Sequence, residues 1–205
     1  MLVDINQKLF YAQHSRIMET PFQYLVDMKT YITMNDNLLR ELLHRSDASS
    51  LGFRVGVRTI AIKHLQVCLA LGLHIVEDPL SKLIDRDNHC RTLFDVNEVI
   101  NVKSVHSKLM VLQDGENIED ICRVYILFAL WLLNFPKTQT DVNINKVFVK
   151  LVDDLDALNT YNWGVAVYDN LIDNLSSAAS KYHQQNNDNV VQISGCSIIL
   201  QILKI

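Results

Sequence analysis

Asp153, Asp154 and Asp156 are the first residues whose spacing suggests chemistry, because hard divalent cations take several converging carboxylate oxygens. At 3.6 residues per turn, Asp153 and Asp154 diverge by about 100° around a helix, and only Asp153 and Asp156 share a face. A solvated helix face is therefore expected in place of a metal site. Cys68, Cys90, Cys122 and Cys196 form no C-x-x-C pair, and the seven histidines are scattered, so the paired ligands of a zinc shell are missing. Buried free thiols in a reducing compartment are expected. No G-x-S-x-G elbow occurs, and Gly195-Cys196-Ser197 sits in an apolar run. A Cys–His pair assembles in space, not in sequence, so Cys68 and His64, on the segment leaving a suspected hairpin, are the first candidates for an enzymatic reading. The glycines, at 52, 56, 72, 115, 164 and 195, never approach a phosphate-loop spacing. Neither a cofactor nor a catalytic set is expected.

The remaining chemistry is basic. Between Leu38 and Ala70, Arg40, Arg45, Arg54, Arg58 and Lys63 outnumber Glu41 and Asp47. Arg54 and Arg58 flank a suspected turn and Lys63 follows it, a disposition that suits phosphate or a partner protein as well as an ordinary solvated face. The chain as a whole opposes a polyanion, with 19 basic against 23 acidic side chains and a net charge of −4. Residues 141–205 carry seven Asp against four Lys. Trp131 and Trp163 fall at core spacing, which gives little support to a base-stacking platform. A non-enzymatic protein-interaction module is the leading expectation; a DNA-associated module using the basic hairpin and an enzyme with an unrecognised site are the alternatives.

These residues need elements to hold them. Asp4 and Gln7 resemble a capping box opening a helix over Ile5, Leu9, Phe10 and Ile17 that stops before Pro21. A short helix follows Pro21, and Asn35 or Asp36 caps a third over Leu38, Leu39, Leu42 and Leu43. The period then shifts: Phe53, Val55 and Val57, then Ile60 and Ile62, flank Gly56, which predicts a small β-hairpin near residues 53–62. A helix from Lys63 ends at Gly72, and Glu77 to Arg91 reads as a long loop. Asp95 with Glu98 predicts a helix start over Val96, Val99 and Ile100, running to Leu112. From Glu116 the next helix becomes apolar all round at Val124 to Leu133, as a surrounded central element must, and Pro136 ends it. Val147, Phe148, Leu151, Val152, Leu155 and Leu158 keep helical spacing, and Trp163 to Tyr182 repeat it. His183 to Asn189 reads as a solvated loop before the apolar end, Val190 to Ile205.

With 205 residues, 49% of them hydrophobic and 20% charged, the chain resembles ordinary globular proteins, and its length suits one large domain or two closely packed small ones. The fold class expected is mainly α, a single helical domain over 1–205 with one small hairpin. The longest apolar stretch, Val124 to Leu133, is far shorter than the roughly twenty residues that cross a bilayer, and Met1 to Phe10 lacks the pattern of a signal peptide. The sequon Asn174-Leu175-Ser176 falls within a helical pattern.

Four segments together resemble a known family. Phe53-Arg54-Val55-Gly56 with Ile60 and the helix ending Leu71-Gly72-Leu73 is similar to the hairpin-then-helix segment of a plant domain of unknown function found in transposon-derived proteins, which accompanies ubiquitin-like (SUMO) protease modules. Thr20 to Arg45 fits that domain's lead-in helices, and Tyr125-Ile126-Leu127-Phe128 with Phe135-Pro136 fits its central helix. The segment from Leu151 to Gly164 is the most specific match and also resembles the related plant mobile domain, sometimes called aminotransferase-like. Gly195-Cys196 with Leu200-Gln201-Ile202 is similar to that domain's last helix. The family carries a tryptophan after this segment where the chain has Leu203, so the resemblance implies a copy truncated at the C-terminus. It implies a nuclear, protein- or DNA-associated role; the chain itself shows no protease motif and, despite the aminotransferase-like label, no lysine context for a pyridoxal phosphate site.

Overall fold

A computed structural model describes residues 1–30, 35–47, 52–76, 88–112, 115, 117–134, 143–185, 193 and 196–203. In chain order the elements are α1 (Leu2–Asn6), α2 (Tyr11–Met18), α3 (Gln23–Val26), α4 (Asp36–Arg45), β1 (Ser46–Asp47), β2 (Gly52–Val55), β3 (Arg58–Ala61) and α5 (His64–Leu71). There follow α6 (His89–Thr92), α7 (Val102–Leu112), α8 (Ile118–Ala129), α9 (Lys146–Leu151), α10 (Trp163–Gln185) and α11 (Ile198–Ile202). The fold is mainly helical with one β-hairpin, as the periodicities require. Two compact units divide it: Met1–Tyr31 with Val76–Asn162, and Ile32–Ile75 with Trp163–Ile205.

The first unit is built around α8. Asn117 caps it, its Oδ1 accepting from the Asp120 amide at 3.3 Å, and Glu119 and Asp120 place negative charge where the helix dipole favours it. Every residue from Val124 to Leu130 is 0% exposed, so the apolar-all-round segment is the core it was expected to be. A π-helical turn, Leu130–Asn134, continues the helix. Helices α2 and α7 pack on α8. The Tyr125 hydroxyl donates to Asn6 Oδ1 at 2.7 Å, and Asn6 Nδ2 donates to the carbonyls of Leu25 and Met28 at 2.8 and 3.2 Å, tying α1 and α3 to the core.

Local signals misplace several helix ends in this unit. The first predicted helix is two, broken between Asn6 and Tyr11. Asp4 pairs with the Met1 amine at 2.7 Å instead of capping, and Gln13 Oε1 accepts from the Phe10 amide at 3.0 Å to open α2. Asp95 and Glu98 make only a turn; α7 starts later, at Val102, just after Asn101, whose Oδ1 takes the amides of Lys103 and Ser104 at 2.9 and 3.0 Å. The helical spacing from Val147 to Leu158 is interrupted after α9, because Asp154 Oδ1 accepts from the Ala157 amide at 3.1 Å and pulls the chain into a 3-10 turn, Ala157–Thr160. Residues 77–87 of the expected loop lie outside the described residues, and its end is the short helix α6. Pro136 also lies outside them.

In the second unit, α4 begins at Asn35, whose Oδ1 accepts from the Leu38 amide at 3.1 Å. Strand β2 pairs antiparallel with β1 on one side and β3 on the other, with Phe53 opposite Ile60, Arg54 opposite Thr59 and Val55 opposite Arg58. Gly56 opens the two-residue turn at φ +61°, a region closed to most side chains. Phe53 and Ile62 are buried and anchor the ribbon. Helix α5 stops at Gly72 (φ +65°), with Leu73 N–H bonding the Cys68 carbonyl at 2.9 Å in the manner of a Schellman motif. Helix α10 packs on α5 and α4, and a Cβ at Gly164 would overlap the Cys68 sulfur, so glycine permits the approach.

Candidate functional site

The hairpin is an exposed, basic element of the second unit. All four residues of β3 are exposed, and Val57 at the turn is 102% exposed. The last turn of α4, the start of β1 and the end of β2 with its turn border an open groove of about 530 Å³ lined by Glu41, His44, Arg45, Ser46, Arg54 and Gly56. Within it the Arg45 guanidinium is held by Glu41, one turn back on α4, at 2.5 and 2.6 Å. The side chains of His44 and Arg54 make no hydrogen bond or ion pair among the described residues.

Side chains alternate across a pleated ribbon, so the register decides which cations meet. Arg54 lies on the Thr59 face and Arg58 on the Val55 face, with Phe53 and Ile60. The two arginines flank the turn but point to opposite sides of the ribbon. Lys63 is exposed at the start of α5, where its amide donates to Gln66 Oε1 at 2.8 Å. A cation there gains nothing from the helix dipole. The side chains of Arg58 and Lys63 also lack partners among the described residues. His44 was absent from the sequence-based candidates; its only signal was a position beside Arg45 in the last turn of a helix leading into the hairpin.

The first unit treats its arginines differently. Arg16 bonds Glu119 at 2.7 Å, Glu19 at 2.8 Å and Asp156 at 2.7 Å, and these carboxylates raise its pKa while burial opposes them. Arg123 bonds Asp120 at 2.9 Å and the Asp153 carbonyl at 2.9 Å, and Asp120 also meets His89 at 3.0 Å. Asp153 Oδ1 takes the Cys90 amide at 2.5 Å. The aspartates weighed as metal ligands thus make separate structural bonds, and among the described residues no group of three or more His, Cys, Asp and Glu could hold an ion.

All four cysteines are free and buried. Burial pushes the thiols of Cys90, Cys122 and Cys196 up to about 12 and raises that of Cys68. A nucleophilic cysteine needs the opposite, a thiolate stabilised near neutrality. His64 lies edge-on to Tyr168, ring centroids 6.3 Å apart. Among the described residues no helix is long and apolar enough to cross a membrane.

Residues 1–201 match the model of a family described as a domain of unknown function (DUF8566), and the chain belongs to that family. No curated protein and no solved structure matches it.

Proposed function

We propose that this chain is a non-enzymatic protein-interaction module whose contact element is the hairpin over residues 52–63. The observation that carries this reading is the contrast in charge pairing: Arg16 and Arg123 each bind several acceptors, whereas the side chains of Arg54, Arg58 and Lys63 stand exposed on one continuous segment without partners among the described residues. Half-exposed Val55 and Ile60, beside Arg58, add the apolar area that a protein partner uses. The test is a photo-crosslinker at Val57 of the full chain in cells. A discrete crosslinked partner that disappears when Arg54, Arg58 and Lys63 are all replaced by alanine is expected; an unchanged crosslinking pattern in that triple variant removes the reading.

DNA association is the second reading, supported by the same cations. The opposed faces of Arg54 and Arg58 weigh against it, since one phosphate backbone approaching one face meets one of them. Each phosphate neutralised adds about 0.9 to the magnitude of the salt slope. Duplex titrations in which replacing both arginines lowers the slope by nearly two would favour DNA; no binding at low salt leaves the protein reading alone. For origin, the resemblance of the hairpin-then-helix segment and of Leu151 to Gly164 to plant transposon-derived domains supports a nuclear protein from a mobile element. An in-frame SUMO-protease-like module downstream in related genes is the test, and its consistent absence counts against that origin.

A further inference from the structure

One side of β3 is an open sheet edge. Among the described residues the strand order β1-β2-β3 leaves it unpaired, and all four residues of β3 are exposed. Val55 and Arg58 flank the two-residue turn as a hydrogen-bonded pair, so the antiparallel alternation directs the N–H and C=O groups of Thr59 and Ala61 away from β2. No described residue bonds to these groups. The edge closes at Ile62, whose carbonyl accepts from the Tyr168 hydroxyl at 3.1 Å.

We infer that β3 takes up an extended acidic segment of a partner protein as an added antiparallel strand. This rests on the interaction-module reading and names its partner class. Charge selects the occupant. Residues 52–63 hold three cations, Arg54, Arg58 and Lys63, and no carboxylate. Pairing with a second copy would oppose two such sets with no anion between them, which is how edge cations block self-association. An incoming strand instead supplies backbone partners to Thr59 and Ala61 while its carboxylates meet Arg58 and Lys63 at the border of the edge. Ile60, 42% exposed on the Arg58 face, seats an apolar side chain of the same strand. The fitting sequence therefore carries acidic and β-branched residues in turn along one face, two residues apart, main-chain bonds giving affinity and side chains giving selection.

The probe is a short capped peptide of repeating Glu-Glu-Val-Val, which puts a carboxylate and an apolar side chain in turn on each face, titrated into the full isotopically labelled chain. The Thr59 and Ala61 amides are expected to shift and to exchange with solvent about tenfold more slowly, as one net hydrogen bond allows, and the same peptide with Lys in place of Glu is expected to leave them unmoved. Thr59→Pro, which removes one outward donor at a position the β2 ladder does not use, should weaken binding about tenfold. An N-methylated form of the Glu–Val peptide should lose as much without any change to the protein. Unmoved Thr59 and Ala61 amides overturn the inference. Equal binding of the N-methylated peptide overturns strand addition while leaving the hairpin standing as a charged interaction surface; the Val57 crosslinking result separately decides the broader reading.

Discussion

Arg16 and Arg54 are the same residue type under opposite regimes. Arg16 is bound by three carboxylates drawn from α2, α8 and the turn after α9, so its charge serves to fasten the first unit. Arg54 has no described counter-ion and its strand carries none. A charge with no counter-ion among the described residues contributes little to holding the fold, which separates the cations that fasten the first unit from those left exposed on the hairpin.

Alkali tests both units at once and should have the largest effect. Cys90, Cys122 and Cys196 have folded pKa values near 12 against the ordinary value of 9.0. Below 9 both states hold the proton and no stability is lost; above 9 the unfolded state ionises first, so stability falls steadily until about 12. Urea midpoints should drop across that window, with thiolate absorbance appearing only on unfolding. Thiolate absorbance rising near pH 9 in the folded chain would show that the thiols are not sealed.

Leu130→Ala should cost about 2–5 kcal/mol from lost transfer energy and a cavity; a loss below about 0.5 kcal/mol in denaturant titration would make α8 peripheral. Asp120→Ala should cost about 2–3 kcal/mol, because it strips a charged acceptor from Arg123 and Asn117 together. In the second unit, Gly164→Ala should cost about 1–3 kcal/mol by overpacking against Cys68, and the added change Cys68→Ala should recover much of it. If the double variant is as unstable as the single one, the clash lies elsewhere. Smallest of all, Arg54→Ala and Arg58→Ala should each shift unfolding by less than about 0.5 kcal/mol. A loss as large as that of Asp120→Ala would mean that these arginines are structural after all and would erase the contrast between the units.

The sequence makes elements legible where the signal is local. Asn35 before the stripe of Leu38, Leu39, Leu42 and Leu43 marks α4, and Gly56 and Gly72 mark a turn and a helix stop by their need for positive φ. It misleads where two local signals compete, as Asp95 with Glu98 and Asn101 with Ser104 do, since only tertiary burial of Val102 and Val105 selects the later start. For the candidate site, residue types were legible and their arrangement was not. Arg54 and Arg58 read as a pair from proximity, yet the ladder register sets them on opposite faces. The bond between Arg16 and Glu119 spans 103 residues, beyond any pattern of spacing.

Each unit is assembled from two stretches of chain, with Val76–Asn162 of the first inserted between the halves of the second. During synthesis this imposes an order. Helix α5 emerges with Val67, Cys68 and Leu71 ready for burial, but α10, which covers them, is made only after the whole inserted stretch. At ribosomal speeds of about 5–20 residues per second, that apolar face waits on the order of several seconds. The nascent chain is then a client for holding chaperones, and a stall or cut between residues 76 and 162 would leave the hairpin attached to a scaffold that cannot close.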